Sequence, residues 1–309
     1  MPDSRLRQVF GASVSPLGGG YSGETFRAEI DGDDVVVRIY GRRPDRAAVD
    51  VGVLRRVRGV VPVPAVLDAQ VTGARDLPPY VVTSWLPGER LEDVLTEVGE
   101  QTAAELGRAV GATLLALSTV RFDRPGELRG TDLAVAPFDL GSLADWVGGH
   151  LDRPWFAALG AEQTGDLLAL ARGVQPLLDS VAHESTLVHS DVNPKNLLVD
   201  RERAVVTGLL DWEFAYSGSR LADLGNLMRF PDHPAEPAGQ AAFVGGALEV
   251  AARDLPPGWP DLARALDLLA LVDLAARDVA NPVVDAARDL LLETLRSGSL
   301  AAGRPDPLR

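Results

Sequence analysis

The sequence predicts an α+β fold of two lobes: a β-rich N-terminal lobe over residues 1–84 and a mainly helical C-terminal lobe over residues 85–309. Three observations carry this expectation. The first 84 residues are dominated by β-branched runs broken by Asp and Gly turns. Beyond Trp85 the apolar residues recur at helical spacing. The chain, at 309 residues, is too long for one small core.

The elements follow in order. Val9–Val14 reads as a strand, then Leu17 leads into a glycine-rich loop, Gly18-Gly19-Gly20-Tyr21-Ser22-Gly23. Thr25–Ile30 and Val35–Tyr40 are strands joined by Asp31-Gly32-Asp33-Asp34, which makes them a hairpin. Residues 45–58 read as a helix, with Val49, Val53, Leu54 and Val57 three and four apart. Val61-Pro62-Val63-Pro64 is expected to be extended, because proline lacks an amide donor and keeps its predecessor out of the helical region. Tyr80–Trp85 is a buried strand that Leu86-Pro87-Gly88 ends as a turn. Helices are expected over Thr102–Leu117, Gly165–Ser180 and Leu262–Val279, with a small β island across 187–211. The stretches 231–237 and 256–260 read as proline-rich loops, and Gly303–Arg309 as a frayed tail.

Composition excludes several chemistries. There is no cysteine, so there is no disulfide framework, no Cys-ligated metal and no thiolate nucleophile. Four histidines leave little for a His-rich metal site. No run of eighteen apolar residues is present, so no membrane span or membrane partner is expected. Met1–Phe10 has no apolar leader core, and a cytoplasmic enzyme is the expectation. The formal net charge is −14, and it is unevenly spread. Residues 1–84 hold 10 acids and 11 bases, residues 85–309 hold 34 and 19. Nucleic acid is therefore not expected as a partner, since phosphate binding needs a basic face. The acidic C-terminal lobe suits a cationic ligand, or is simply a solvated acidic surface. Of the 30 basic residues, 29 are Arg and one is Lys195.

Two motifs carry the chemistry. The first is Leu187-Val188-His189-Ser190-Asp191-Val192-Asn193-Pro194-Lys195-Asn196, and the second is Gly208-Leu209-Leu210-Asp211-Trp212-Glu213, whose Asp211 lies fifteen residues after Asn196. Phosphoryl transfer needs positioned groups and charge neutralisation rather than covalent catalysis. Asp191 is placed to accept or orient the proton of an attacking hydroxyl. Asn196 and Asp211 are hard oxygen donors suited to Mg²⁺. His189 would brace the loop. The glycine loop, with Gly19, Gly20 and Ser22, offers backbone amides to phosphates, although a plain glycine hairpin has the same composition. Arg38 lies on the following strand and needs a carboxylate partner there, for which Asp50 is the candidate; an exposed strand-edge arginine is the alternative.

These motifs resemble the aminoglycoside phosphotransferase family, small-molecule kinases with a protein-kinase-like fold. The glycine loop, Leu86-Pro87-Gly88 and Gly218–Gly225 support the resemblance. It implies transfer of phosphate from ATP, with Mg²⁺, to a hydroxyl of a small and cationic acceptor such as an aminoglycoside antibiotic. Macrolide kinases, metabolic kinases for choline, homoserine or amino sugars, and a nucleotide-binding pseudokinase share the pattern. It implies Asp191 as catalytic base, Asn196 and Asp211 as metal ligands, Thr83, Ser84 and Leu86 as the adenine-binding hinge, and Asp223 as buttress of the catalytic loop. Arg38 stands where the family has lysine, and Asp50 is its implied partner. Glu213, Asp232 and Glu236 join Asp191 as acceptor contacts, with Glu213 also placed for a structural role. Lys195 is placed to touch the γ-phosphate, or to face solvent. Arg42–Arg46 reads as a solvated turn, and Asp267, Asp273 and Asp278 as ammonium contacts or exposed acids. The assembly is expected to be a monomer or homodimer.

Overall fold

Alternation along the first strands builds a two-faced sheet. The computed structural model describes residues 14–17, 24–73, 78–230 and 239–301. β1 (Val14–Pro16), β2 (Glu24–Ile30), β3 (Asp33–Ile39), β4 (Val66–Gln70) and β5 (Tyr80–Ser84) form an antiparallel sheet in the order β1-β2-β3-β5-β4. Phe26, Ala28, Val35, Val37, Ile39, Tyr80 and Val82 make one buried face. Tyr40 and Val81 lie on the other, against Ala47 and Val51 of helix α1 (Arg46–Val57). Arg38, between Val37 and Ile39, therefore points to the α1 side, as the period of two requires.

The described part of the second lobe starts with β6 (Glu89–Arg90), which pairs with β10 (Leu197–Asp200), itself paired with β11 (Val205–Leu209). A second small sheet orders β8 (Ala134–Ala136), β7 (Gly126–Arg129), β12 (Tyr216–Gly218) and β9 (Thr186–Val188). The helices are α2 (Leu91–Glu97), α3 (Glu100–Leu117), α4 (Leu143–Gly148), α5 (Pro154–Ala157), α6 (Ala161–Val181), α7 (Leu221–Leu227), α8 (Gln240–Ala251), α9 (Trp259–Ala275) and α10 (Pro282–Ser297). One hydrophobic cluster joins Val49, Val53 and Val57 of α1 to α2, α3, α8 and Trp212, so α1 is packed into the core of the helical lobe as well as onto the sheet. A second cluster fills the far end between α6, α9 and α10.

Helices α3 and α8 meet through glycine. A Cβ on Gly107 would lie 2.1 Å from the Phe243 carbonyl oxygen, and one on Gly246 would lie 2.1 Å from that of Ala104. Only glycine lets two helix backbones approach this closely.

Several expectations shift. The helix expected over Leu262–Val279 runs from Trp259 to Ala275. Trp259 and Pro260, expected in a loop, form its first turn, where proline's missing donor costs nothing. The hairpin β7–β8 and helices α8 and α10 were not anticipated. Arg42 and Arg43 are exposed as a solvated turn requires, but Arg46 is only 7% exposed and opens α1. The expected strand before Val14, the glycine loop, the 231–237 loop and the 303–309 tail lie outside the described residues. Among the described residues no helix is long and apolar enough to cross a membrane.

Candidate active site

Strand β9 ends where the His189–Asn196 motif begins, and helix α7 holds that turn. Asp223 accepts the amide of His189 at 3.1 Å and that of Ser190 at 2.7 Å. Ser190 sits at φ 69°, a left-handed backbone that a non-glycine residue adopts only when its surroundings impose it. Burial pushes the Asp223 carboxyl up to about 7, against two amide donors that favour its anion. Asp223 thus stands where the resemblance puts a buttress.

His189 is fully buried, its ring centroid 4.5 Å from that of Trp212 and tilted 57° to it. Its Nε2 lies 2.9 Å from the Leu210 carbonyl oxygen and its Nδ1 accepts the Asp191 amide at 3.2 Å. These partners assign the proton to Nε2 and leave the ring neutral. Burial lowers its pKa, which agrees. His189 ties the 189–196 loop to the residue before Asp211 and has no free nitrogen to act as a base.

Asp191 lies at the mouth of this loop, its side chain 15% exposed. The Asn196 amide nitrogen donates to its Oδ2 at 2.8 Å and to its carbonyl oxygen at 2.9 Å. Asn193 donates to Oδ1, and Lys195 Nζ stands 3.3 Å from Oδ2. The 3₁₀ turn Pro194–Asn196 brings these three donors onto one carboxylate. With its nitrogen committed to Asp191, Asn196 keeps its amide oxygen for another ligand.

Asp211 follows β11 in the left-handed region, at φ 65°. Its Oδ1 is 2.8 Å from Nη2 of Arg38, whose guanidinium also lies 3.7 Å from Asp50 and 3.7 Å from Glu213. The predicted partner Asp50 is thus the more distant one. It is fully enclosed, and the Tyr40 hydroxyl donates to its Oδ2 at 2.5 Å. Burial raises the Asp50 pKa against the pull of Arg38. Burial also works against the Arg38 charge, but Tyr40, Asp211 and Asp50 outweigh it and hold the pKa above the usual value. Arg46 donates to the carbonyl oxygens of Trp212 at 3.5 Å and Ala215 at 3.3 Å, which binds α1 to the segment after Asp211.

The donor set fits a magnesium ion. Asp211 Oδ1 is buried beside Arg38 yet receives no hydrogen bond of good geometry, so an anionic oxygen is held there by charge alone. Together with the amide oxygen of Asn196 it offers the hard donors that Mg²⁺ takes.

The other expected residues are placed as follows. Thr83 is buried in β5, and Ser84 is zipped to Ala65 by two hydrogen bonds of 2.9 Å, one from its own amide and one to its hydroxyl. Leu86 packs over Gly208 of β11, where an added Cβ would meet it at 2.9 Å. Glu213 is buried in the Arg38 cluster. Gly19, Gly20, Ser22, Asp232 and Glu236 lie outside the described residues. Asp267, offered as an ammonium contact, is instead 3% exposed and bound at 2.7 Å by Arg229. Asp273 pairs with Arg277 at 2.8 Å. The sequence reading missed Tyr40, Arg46 and Asn193. The spacing of Arg46 and Asp50, four apart on α1, was the available signal for Arg46.

A model described as the phosphotransferase enzyme family matches residues 13–264. The chain belongs to that family. Its fold is the protein-kinase-like fold with a β-rich first lobe and a helical second lobe. Crystal structures of the aminoglycoside phosphotransferase APH(4)-Ia are similar across the whole chain. The ternary complex of a thermostable mutant of it with ADP and hygromycin B has a TM-score of 0.70 at 17% identity, covering 96% of this chain and 99% of that one. The GDP complex of wild-type aminoglycoside 2'-phosphotransferase-IIIa has a TM-score of 0.70 at 17% identity, covering 96% and 98%. A streptomycin–ATP ternary complex of APH(2")-IIa has a TM-score of 0.65 at 14% identity, covering 95% and 97%. Acyl-CoA dehydrogenase family member 10 of Mus musculus is 28% identical over 167 residues. Those residues are 53% of this chain and 15% of that protein, so the chain spans a small part of that relative.

Proposed function

We propose that this phosphotransferase moves the γ-phosphoryl group of Mg²⁺-ATP to a hydroxyl of a small cationic molecule, with an aminoglycoside or related antibiotic as the leading class. The observation that supports it best is the Asp191 carboxylate, oriented by Asn193, Asn196 and Lys195 and standing in the same loop as the oxygen donor Asn196. The acceptor oxygen attacks the γ-phosphorus while the bond to the β–γ bridging oxygen breaks. Asp191 receives the hydroxyl proton, and ADP leaves with the electron pair of the broken bond. Lys195, beside Asp191, adds positive charge where the transferred group passes. Magnesium, when bound, would be held by Asn196 and Asp211 and would offset phosphate charge during transfer. Arg38 contacts the α- and β-phosphates as a fork rather than a point charge. The acidic balance of residues 85–309, 34 acids against 19 bases, favours a cationic acceptor.

The test is ADP release with Mg²⁺-ATP across aminoglycosides, peptide antibiotics, macrolides, choline and sugars, for the wild type and Asp191→Ala. Stimulation by an aminoglycoside, lowered at least about 100-fold in Asp191→Ala, is the expected result. Stimulation only by macrolides, choline or sugars replaces the acceptor class. Wild-type turnover in Asp191→Ala overturns the assignment of the base.

A further inference from the structure

One oxygen of the candidate site is claimed twice. Asp211 Oδ1, a donor suited to the metal, lies 2.8 Å from Nη2 of Arg38. A guanidinium and a divalent cation repel each other at such range, so they compete for that oxygen. The contact is sheltered: the Arg38 side chain is 17% exposed and that of Asp211 20%. Shelter from water strengthens the pull on Asp211 and the conflict with a second cation alike.

Arg38 has a second carboxylate within reach. Its other terminal nitrogen, Nη1, is 3.7 Å from Oδ2 of Asp50 on α1. Asp50 Oδ1 is buried with no hydrogen-bond partner. The Tyr40 hydroxyl donates to Oδ2 and holds the carboxylate against the sheet, while the guanidinium carbon lies 5.3 Å from the centre of the Tyr40 ring. A movement of about 1 Å brings Nη1 to hydrogen-bond distance of Asp50. Two carboxylates thus stand close enough to trade one guanidinium. A forked cation presents a separate nitrogen to each, whereas a lysine ammonium is a single point on a stem one bond shorter.

We propose that Arg38 makes metal binding at Asp211 conditional on the nucleotide. The proposal rests on the reading of Asp211 as a metal ligand and of Arg38 as the contact of the α- and β-phosphates. Phosphate oxygens draw the guanidinium off Asp211 and toward the Asp50 side, which leaves Oδ1 to Mg²⁺. By linkage, a metal on Asp211 favours the phosphate contact of Arg38 by the same factor. The metal alone binds weakly, because it must first displace Arg38. The fork of Arg38 acquires a role that a point charge lacks.

The experiment measures binding of Mn²⁺, which takes the same oxygen donors as Mg²⁺ and is read by EPR, to the full chain without nucleotide. The Asp211 site is the part of that binding which Asp211→Asn removes. Arg38→Gln and Arg38→Lys are each expected to bind Mn²⁺ there at least about fivefold more tightly than the wild type. Arg38→Lys keeps the charge, so it separates the contact from the field, and it carries the test if Arg38→Gln does not fold. In parallel, the Arg38 Nε–Hε NMR signal, identified by its absence from Arg38→Lys, is followed as ADP is added in the presence of EDTA. A saturable shift is expected. Equal Mn²⁺ affinity in the three proteins, or tightening in Arg38→Gln alone, overturns the proposal, and a shift with ADP beside that result leaves the phosphate contact standing. An Arg38 signal indifferent to ADP removes the phosphate contact itself and the coupling with it.

Discussion

Arg38 stands 2.8 Å from Asp211 and 3.7 Å from Asp50, so the strand cation reaches past its predicted helix partner to the residue that begins the metal motif. Asp50 is taken instead by the Tyr40 hydroxyl. One guanidinium therefore neutralises parts of three enclosed carboxylates: Asp211, Asp50 and Glu213. Their side chains are 20%, 5% and 7% exposed. A cluster with this excess of negative charge would be relieved by a further cation, such as a magnesium ion at Asp211.

Replacing Arg38 separates its two roles. Arg38→Gln leaves three near-buried carboxylates facing one another, and removal of one partner of a buried pair costs about 3–5 kcal/mol. Urea unfolding is expected to show a loss of that order, and the KM for ATP to rise at least about tenfold. Arg38→Lys keeps the charge and is expected to recover most of the stability. Unchanged ATP affinity in Arg38→Gln means that Arg38 does not hold the nucleotide.

The glycines of this chain predict opposite signs for one substitution. Alanine in a helix interior is favoured over glycine by about 1 kcal/mol. At Gly173 on α6 nothing lies within 4 Å of an added Cβ, so Gly173→Ala is expected to stabilise by about 0.5–1 kcal/mol. At Gly107 the added Cβ meets the Phe243 carbonyl oxygen of α8, a backbone atom that cannot rotate away. Overpacking costs about 1–3 kcal/mol and exceeds the propensity gain, so Gly107→Ala is expected to destabilise. The midpoints of urea unfolding for the two variants check both signs. A stabilised Gly107→Ala would mean that α3 and α8 do not pack this closely.

How much of this was legible varies with the physics involved. The sheet was legible because alternation and Asp/Gly turns are local signals, and the observed β2, β3 and β5 fall on the expected runs. Helix α8 was not, because Gln240–Ala251 is nearly all small or apolar and shows no polar face to set a period. Helix α10 carried end signals that went unused: Asn281 caps Val283 at 2.8 Å, Pro282 opens the first turn and Gly298 closes it at φ 64°. The motif residues Asp191, Asn196 and Asp211 were legible by spacing. Arg46's partners Trp212 and Ala215 were not, since they lie far along the chain, and Tyr40 was not, since only the packing of α1 on the sheet brings Asp50 to its hydroxyl.

Arg229 and Asp267 provide a second buried pair, joining the segment after α7 to α9 with contacts of 2.7, 3.0 and 3.2 Å. Their side chains are 9% and 1% exposed. Desolvation of both charges cancels much of their attraction, whereas a lone survivor is left uncompensated. Arg229→Met and Asp267→Leu are each expected to cost about 3–5 kcal/mol. The double variant is expected to lose much less than the sum of the two single losses. A calorimetric double-mutant cycle measures this, and additive losses would mean that the pair is not coupled.

His189 and the residue that holds its loop from α7, Asp223, have opposed pH dependence. His189 is held neutral by burial, below the value of about 6.5 that it has unfolded. The unfolded chain then binds the extra proton, so the stability tied to His189 is present above about pH 6.5 and is lost as pH falls below it. Asp223 is shifted the other way, up to about 7 from an unfolded value near 3.8. Between those values the folded chain holds the extra proton, so the contribution of Asp223 falls as pH rises from about 4 to 7. The two slopes oppose between pH 4 and 6.5, each up to about 1.4 kcal/mol per pH unit. Removing one exposes the other. Relative to the wild type, Asp223→Asn is expected to lose stability as pH falls from 6.5 to 5, and His189→Gln as it rises from 5 to 7. Urea unfolding at pH 5, 6 and 7 reads both differences. Parallel profiles for the wild type and both variants would mean that neither group changes its proton affinity on folding.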